Sequence, residues 1–464
     1  MSKIWILTEE RPKRTVLNNI LVYLHTKLGA EYKNEALRIN PVFSNKKFAF
    51  RYDIEGVTSS ISDDITIIPV SGKSSFVDFL VYVQDDEPVP TDIPVLVIEE
   101  TKTDDAESRN TGVYQRSSKF VYSKFFYPDS EQLMLYNLRV AQKETPTKTY
   151  VFGTRMLVTS GIKVLGKRID ESIFTPFTSI DEMMELKNAM PAPGYGVAVR
   201  FTKQGDTISI SAKLEKAGRL SHDPNIGMTS LMASCLRKLG WTGKIVITEH
   251  GLSSPRQVGH QNKFNFIAYK LGITLDGIEL PEPTLPDAYW EVEKEKEKTA
   301  SIFTHIICEN LDYYREVYEN HGGCERGYFY YYDDAKKAIP LAIPKYRDRA
   351  KYKEGNKEYI IYIPDLVMFD TKRNEVINIE GKTYANRANG VLELNNYDFF
   401  EDKYINNYFK DAKIVRGLTL SGTGNGKVAL SIKEMSLYLD NEGNVFVSQS
   451  APAIIQDAYS KLPL

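Results

Sequence analysis

A chain of 464 residues is longer than one hydrophobic core usually organises, so several domains are expected. With 42% hydrophobic and 26% charged residues it has the balance of a folded globular protein, which excludes a largely disordered chain. Lys+Arg 59 against Asp+Glu 61 gives a formal net charge of -2, which excludes a uniformly basic nucleic-acid coat and leaves room for local basic clefts. The start, Met1 to Glu10, reaches charged residues before any signal-peptide core forms, and no apolar run approaches the ~20 residues that cross a bilayer. Cys235, Cys308 and Cys324 are widely spaced and contain no C-x-x-C pair, which fits a reducing compartment. A soluble cytoplasmic protein is expected.

In chain order, the periodicity predicts a helix over residues 15–28 and then several strands. Phe76 to Val83 is an apolar strand carrying one acid, Asp78. After the acidic turn Asp85 to Thr91 comes the strand Pro94 to Thr103, PVLVIEETKT, on which Leu96, Ile98, Glu100 and Lys102 share a face and Glu99 points to the other. A helix is predicted over 130–140 and a strand over 149–152. Arg109, Asn110, Gln115, Arg116 and Lys119 lie between the E-x-K strand and that helix, where side chains of these types can meet phosphates and base edges.

From about 171 to 288 the pattern changes to strands near 196–202, 207–212 and 244–248 and helices near 228–239 and 263–271. A polar and basic series from Arg219 through Arg237, Arg256, His260 and Lys263 marks this region as a candidate recognition surface. The linker candidate Glu279 to Asp287, ELPEPTLPD, holds three prolines that break helix and central strand alike. Beyond it, Glu291 to Lys298, EVEKEKEK, reads as the solvated opening of an amphipathic helix with apolar positions from Ile302 to Tyr318. Tyr328 to Tyr332 is a strand by propensity.

The densest chemistry lies in Tyr362 to Ala385, YIPDLVMFDTKRNEVINIEGKTYA. Pro364 and Asp365 open one strand, Asp370 to Asn374 turn the chain, and Val376 to Thr383 return as a second strand whose alternation puts Glu380 and Lys382 on one face. Asp365, Glu380 and Lys382 can then converge. Two carboxylates with the carbonyl of Gly381 form an oxygen set suited to Mg²⁺, and an adjacent lysine can orient a nucleophile and stabilise charge on a phosphoryl group. A helix over 392–409 and a strand over 412–420 follow. Asn386, Arg387 and Asn389 trail this motif as the earlier basic cluster trails Glu100.

These residues resemble the signature of the PD-(D/E)XK nuclease superfamily, matched by Pro364, Asp365, Glu380, Gly381 and Lys382, and more loosely by Asp78, Glu100 and Lys102, where Val77 stands in place of the proline. The resemblance implies metal binding by Asp365, Glu380 and Gly381, and by Asp78, Glu100 and Thr101, with Lys382 and Lys102 acting at the nucleophile. The expected fold class is α/β with mixed sheets. Two nuclease-type modules, 1–170 and 289–464, would flank a smaller middle α/β domain, 171–288. The implied activity is a Mg²⁺-dependent, site-specific endonuclease of the type II restriction kind, similar to type IIS enzymes that cut an asymmetric double-stranded DNA site with two centres. The family further implies a companion DNA methyltransferase and a monomer or homodimer. The alternatives are a nuclease with a single active site, for nicking, repair or junction resolution, and a non-catalytic DNA-binding protein.

Overall fold

Apolar runs such as Ile4 to Leu7, Leu80 to Tyr82 and Leu366 to Met368 are buried along their whole length, the mark of strands covered on both faces. The computed structural model describes residues 2–72, 76–101, 112–136, 148–166, 172–190, 199–214, 224–259, 262–321, 328–332, 338–342 and 362–463. The architecture is mixed α/β with mixed sheets, as expected. Its contacts group into two units, one of Met1–Glu9 with Val70–Glu291, the other of Glu10–Pro69 with Val292–Leu464. The expected boundary at 288/289 lies beside the crossover at Glu291, whereas 170/171 falls inside the first unit and the Arg14–Leu28 helix belongs to the second.

In the first unit, strands Lys3–Thr8, Phe79–Gln84, Leu96–Thr101, Glu131–Tyr136 and Lys163–Leu165 lie side by side in that order. The first two pairings are antiparallel and the last two parallel. The parallel step needs a crossover, and the Gly112–Ser123 helix supplies it. The predicted helix over 130–140 is instead the strand Glu131–Tyr136, and the predicted strand over 149–152 lies in the helix Lys148–Thr159. Short apolar runs suit either state, and tertiary contacts decide: Gln132 Nε2 donates to the Phe120 carbonyl at 2.7 Å, tying the strand to the crossover helix. A second sheet orders Ile273–Leu275, Lys244–Thr248, Thr207–Ser211 and Arg200–Gln204, with helices Pro224–Lys238 and Lys263–Leu271. Asn262 caps the latter helix by accepting from Phe264 N at 2.9 Å.

In the second unit, strands Tyr314–Glu319, Leu366–Asp370, Glu375–Thr383, Lys413–Ser421 and Met435–Leu439 repeat that order and those directions, and Val445–Val447 adds an edge. The hairpin at its centre is set by its turn. Asp370 Oδ1 accepts from Lys372 N at 2.9 Å and Arg373 N at 3.2 Å, and Asn374 takes the left-handed conformation at φ 53 that asparagine tolerates. The helix expected from Glu291 begins only at Thr299 and ends at Glu309, and Tyr314 and Tyr318 fall on the next strand. Thr299 to Cys308 are all buried, so this helix has no polar stripe to mark its ends. The helix expected over 392–409 is split into Arg387–Leu394 and a short helical stretch over 398–405. Tyr328–Tyr332 is a strand, paired with Ala338–Ala342. Among the described residues no helix is long and apolar enough to cross a membrane.

Candidate active sites

Pairing of the Leu366–Asp370 and Glu375–Thr383 strands sets Leu366 opposite Ile379, so Asp365, just before the first strand, faces Glu380 on the second. Asp365 Oδ2 accepts from the Gly381 amide at 2.9 Å. Lys382 Nζ donates to Glu380 Oε1 and also meets Glu297 Oε1 at 2.7 Å and Glu393 Oε2 at 3.3 Å. Tyr397 OH donates to Glu380 Oε2. Glu380 is buried while Asp365 is half-buried, so the pair opens to solvent on the aspartate side. Burial raises both carboxyls above the usual carboxylate range; each raises the other or is raised by nearby acids, and Lys382 pulls both back. Burial works against the charge of Lys382, yet Glu380 and Glu297 hold its pKa above the ordinary lysine value. Four acids thus surround one lysine, an arrangement that favours a bound cation.

The expected residues Asp365, Glu380, Gly381 and Lys382 therefore meet. Glu297 and Glu393 were not foreseen: Glu297 belongs to the charge run read as solvated, and Glu393 to the crossover helix. Asn386 and Asn389 are exposed beside the site, whereas Arg387 is engaged, its guanidinium 4.5 Å from the Tyr384 ring and its Nη1 donating to the Tyr384 carbonyl at 3.0 Å.

The first unit repeats the construction with a shift of one residue. Phe79 pairs with Ile98, so Asp78 faces Glu99, and the residue equivalent to Glu380 is Glu99 rather than the expected Glu100. The amide of Glu100 donates to Asp78 Oδ2 at 2.7 Å, as the Gly381 amide does to Asp365. Glu99 Oε2 accepts from Asp78 N at 3.1 Å. Its lysine comes from the crossover helix: Lys119 Nζ lies 2.8 and 3.0 Å from the two oxygens of Glu99 and 3.6 Å from Asp78 Oδ1. Arg116 Nε is 3.3 Å from Glu99 Oε1. Arg116 and Lys119, expected on a DNA-facing loop, thus turn inward. Burial and then Asp78 push the Glu99 carboxyl up to about 8, against the pull of Lys119 and Arg116. Thr101 ends the strand at the register of Lys382; Lys102, Arg109 and Asn110 lie outside the described residues, as does the side chain of Gln115.

A third cluster, missed by sequence because it joins the Thr299–Glu309 helix to the end of the Tyr314–Glu319 strand, comprises His305, Glu319 and His321, whose ligand-type atoms lie within 4.8 Å of one another. One proton assignment satisfies every ring nitrogen. Tyr314 OH donates to His305 Nε2 at 2.5 Å, His305 Nδ1 to His321 Nε2 at 2.9 Å, and His321 Nδ1 to Ser301 Oγ at 3.0 Å, which donates to the Lys298 carbonyl at 3.0 Å. Burial lowers the pKa of both histidines, that of His321 to about 3, so both are neutral as this chain requires. Both Glu319 oxygens are taken by cations, Oε2 by Arg11 Nε at 2.5 Å and Oε1 by Lys13. The network is complete without an ion, and two positive charges stand where one would enter.

No protein-family model, curated protein or solved structure matches the chain.

Proposed function

We propose that this chain is a Mg²⁺-dependent endonuclease that hydrolyses phosphodiester bonds of double-stranded DNA, a site-specific enzyme of the type II restriction kind working in the cytoplasm as a monomer or homodimer beside a companion DNA methyltransferase. The observation that carries the reading is the meeting of Asp365, Glu380 and Lys382 on one hairpin, with Glu297 and Glu393 adding negative charge around the lysine. The donor set fits a hard cation, since Asp365, Glu380 and the Gly381 carbonyl offer oxygen alone. When bound, Mg²⁺ would polarise a phosphoryl oxygen and acidify a water. The Gly381 amide orients Asp365 through Oδ2. Lys382 keeps its proton and can exchange Glu297, which is half exposed at 51%, for an entering phosphate oxygen.

In the first unit Asp78, Glu99 and Lys119 are the matching set, which supports one centre per DNA strand. A second reading, a single active site in the second unit with a structural remnant in the first, is favoured by Glu99 being 0% exposed and paired with two cations. Strand-resolved cleavage by Asp365→Ala and Asp78→Ala separates them. Variants that each nick the opposite strand support two centres, and full double-strand cutting by Asp78→Ala supports one. A wild-type protein that leaves a mixed-sequence plasmid intact in Mg²⁺ refutes the nuclease reading.

A further inference from the structure

Glu380 is gripped from two directions. Lys382, on its own strand, donates to Oε1, and Tyr397, from the link between the two helical segments after that strand, donates to Oε2. Tyr397 is 0% exposed, and its ring packs with Leu394, Leu418, Leu420 and Met435. A buried phenol needs a hydrogen-bond partner, and among apolar neighbours this one has been given the carboxylate at the centre of the site. The first unit does the equivalent with different chemistry, where Lys119 on the crossover helix holds both oxygens of Glu99.

We propose that Tyr397 is a positioning residue for Glu380. Its hydroxyl holds Oε2 as Lys382 holds Oε1, so that the lone pairs left over face Asp365 and the cation the pair would hold. The identity of that cation as Mg²⁺ rests on the nuclease reading above. Without the hydroxyl the carboxylate would be held through Oε1 alone, by Lys382, and Oε2 would have to be ordered by the metal; partners of this kind typically contribute about 10–100-fold in metal affinity or activity.

Tyr397→Phe removes the hydroxyl and keeps the ring packing. In the full-length chain, Mg²⁺ binding is measured by calorimetry without DNA, melting temperature in EDTA, and cleavage against Mg²⁺ concentration. The expected result is an increase of about 10–100-fold in the Mg²⁺ concentration for half-saturation, with melting in EDTA near that of wild type and cleavage restored at high Mg²⁺. Leu394→Ala, a neighbour in the same core, is the control: it lowers the melting temperature and leaves the Mg²⁺ midpoint in place. If Tyr397→Phe behaves like Leu394→Ala, or leaves the Mg²⁺ curve unchanged while Glu380→Gln abolishes binding, Tyr397 is only structural and the inference falls alone. A wild-type protein that binds no Mg²⁺ overturns both it and the nuclease reading.

Discussion

Replacing Lys119 by methionine leaves the buried charge of Glu99 half compensated. Glu99 is 0% exposed, Lys119 Nζ meets its oxygens at 2.8 and 3.0 Å, and Arg116 Nε stays at 3.3 Å. At about 3 Å and an effective dielectric of ~20, a pair of unit charges attracts by about 5 kcal/mol. Relief of the lysine's desolvation and the remaining guanidinium offset part of this, leaving a loss of ~3 kcal/mol, the low end for breaking a buried pair. The loss exists only where Glu99 is ionised. Burial, with Asp78 next, raises its carboxyl from 4.5 to about 8, so between these values the folded chain holds a proton that the unfolded chain has released. Stability from this group is therefore full below the unfolded value, falls as pH rises through the window, and levels off above about 8. Without Lys119 the carboxyl is pushed higher still. The cost of Lys119→Met should be largest near pH ~9 and shrink to under ~1 kcal/mol near pH ~5. Urea unfolding in EDTA at the two pH values measures it, and adding Glu99→Gln should recover most of the loss at the higher pH. A cost that is equal at both pH values, or that Glu99→Gln does not relieve, refutes the argument.

Gly381→Ala tests the fit behind the second-unit site: a Cβ there would lie 2.9 Å from Ser301 Oγ and 3.1 Å from the Glu297 carbonyl, so a loss of about 1–3 kcal/mol is expected in equilibrium unfolding. Glu182, whose carboxyl is lowered from 4.5 to about 2 by the Thr178 amide first and by Arg155, contributes stability that is present above the unfolded value and is lost as pH falls toward about 2. With the side chain 36% exposed, Glu182→Gln should cost only about 1 kcal/mol at neutral pH, and thermal melts should show the difference vanishing in acid.

How much of this was readable depended on distance along the chain. Asp365, Glu380 and Lys382 could be placed from sequence because one tight hairpin joins them, and its turn is written in Asp370 and Asn374. In the first unit the same template selected Glu100 and Lys102, since they satisfy the E-x-K spacing. Strand alternation makes a choice of one residue a choice of face, and with acids at both 99 and 100 the spacing alone could not decide. The pairing of Phe79 with Ile98 decides it for Glu99. Lys119, Tyr397 and Glu297 reach their carboxylates or lysine from other elements, so no local periodicity marks them. The helix and strand exchanged around 130–152 failed for a related reason, because the Gln132 contact with Phe120 that fixes the strand is made only in the folded chain.

The two units also differ in how their charges balance, and this bears on which site holds a cation. Around Glu99 the acids Asp78 and Glu99 face the cations Lys119 and Arg116, so even when Glu99 is ionised, above about pH 8, no acid of the set is in surplus. Around Lys382 the acids Asp365, Glu380, Glu297 and Glu393 face one lysine, and the surplus negative charge must be met by cations or protons. A divalent ion entering the second set relieves repulsion already present; one entering the first must displace or crowd two cations already paired with its acids. On the nuclease reading the second unit is therefore the tighter metal site, and nicking of one strand should begin at lower Mg²⁺ than cleavage of both. Moving the lysine from strand to helix keeps the charge of the hairpin acid paired, and Arg116 there adds a second cation. What separates the units electrostatically is Glu297 and Glu393 in the second and Arg116 in the first, none of which belongs to the Asp, Glu and Lys signature.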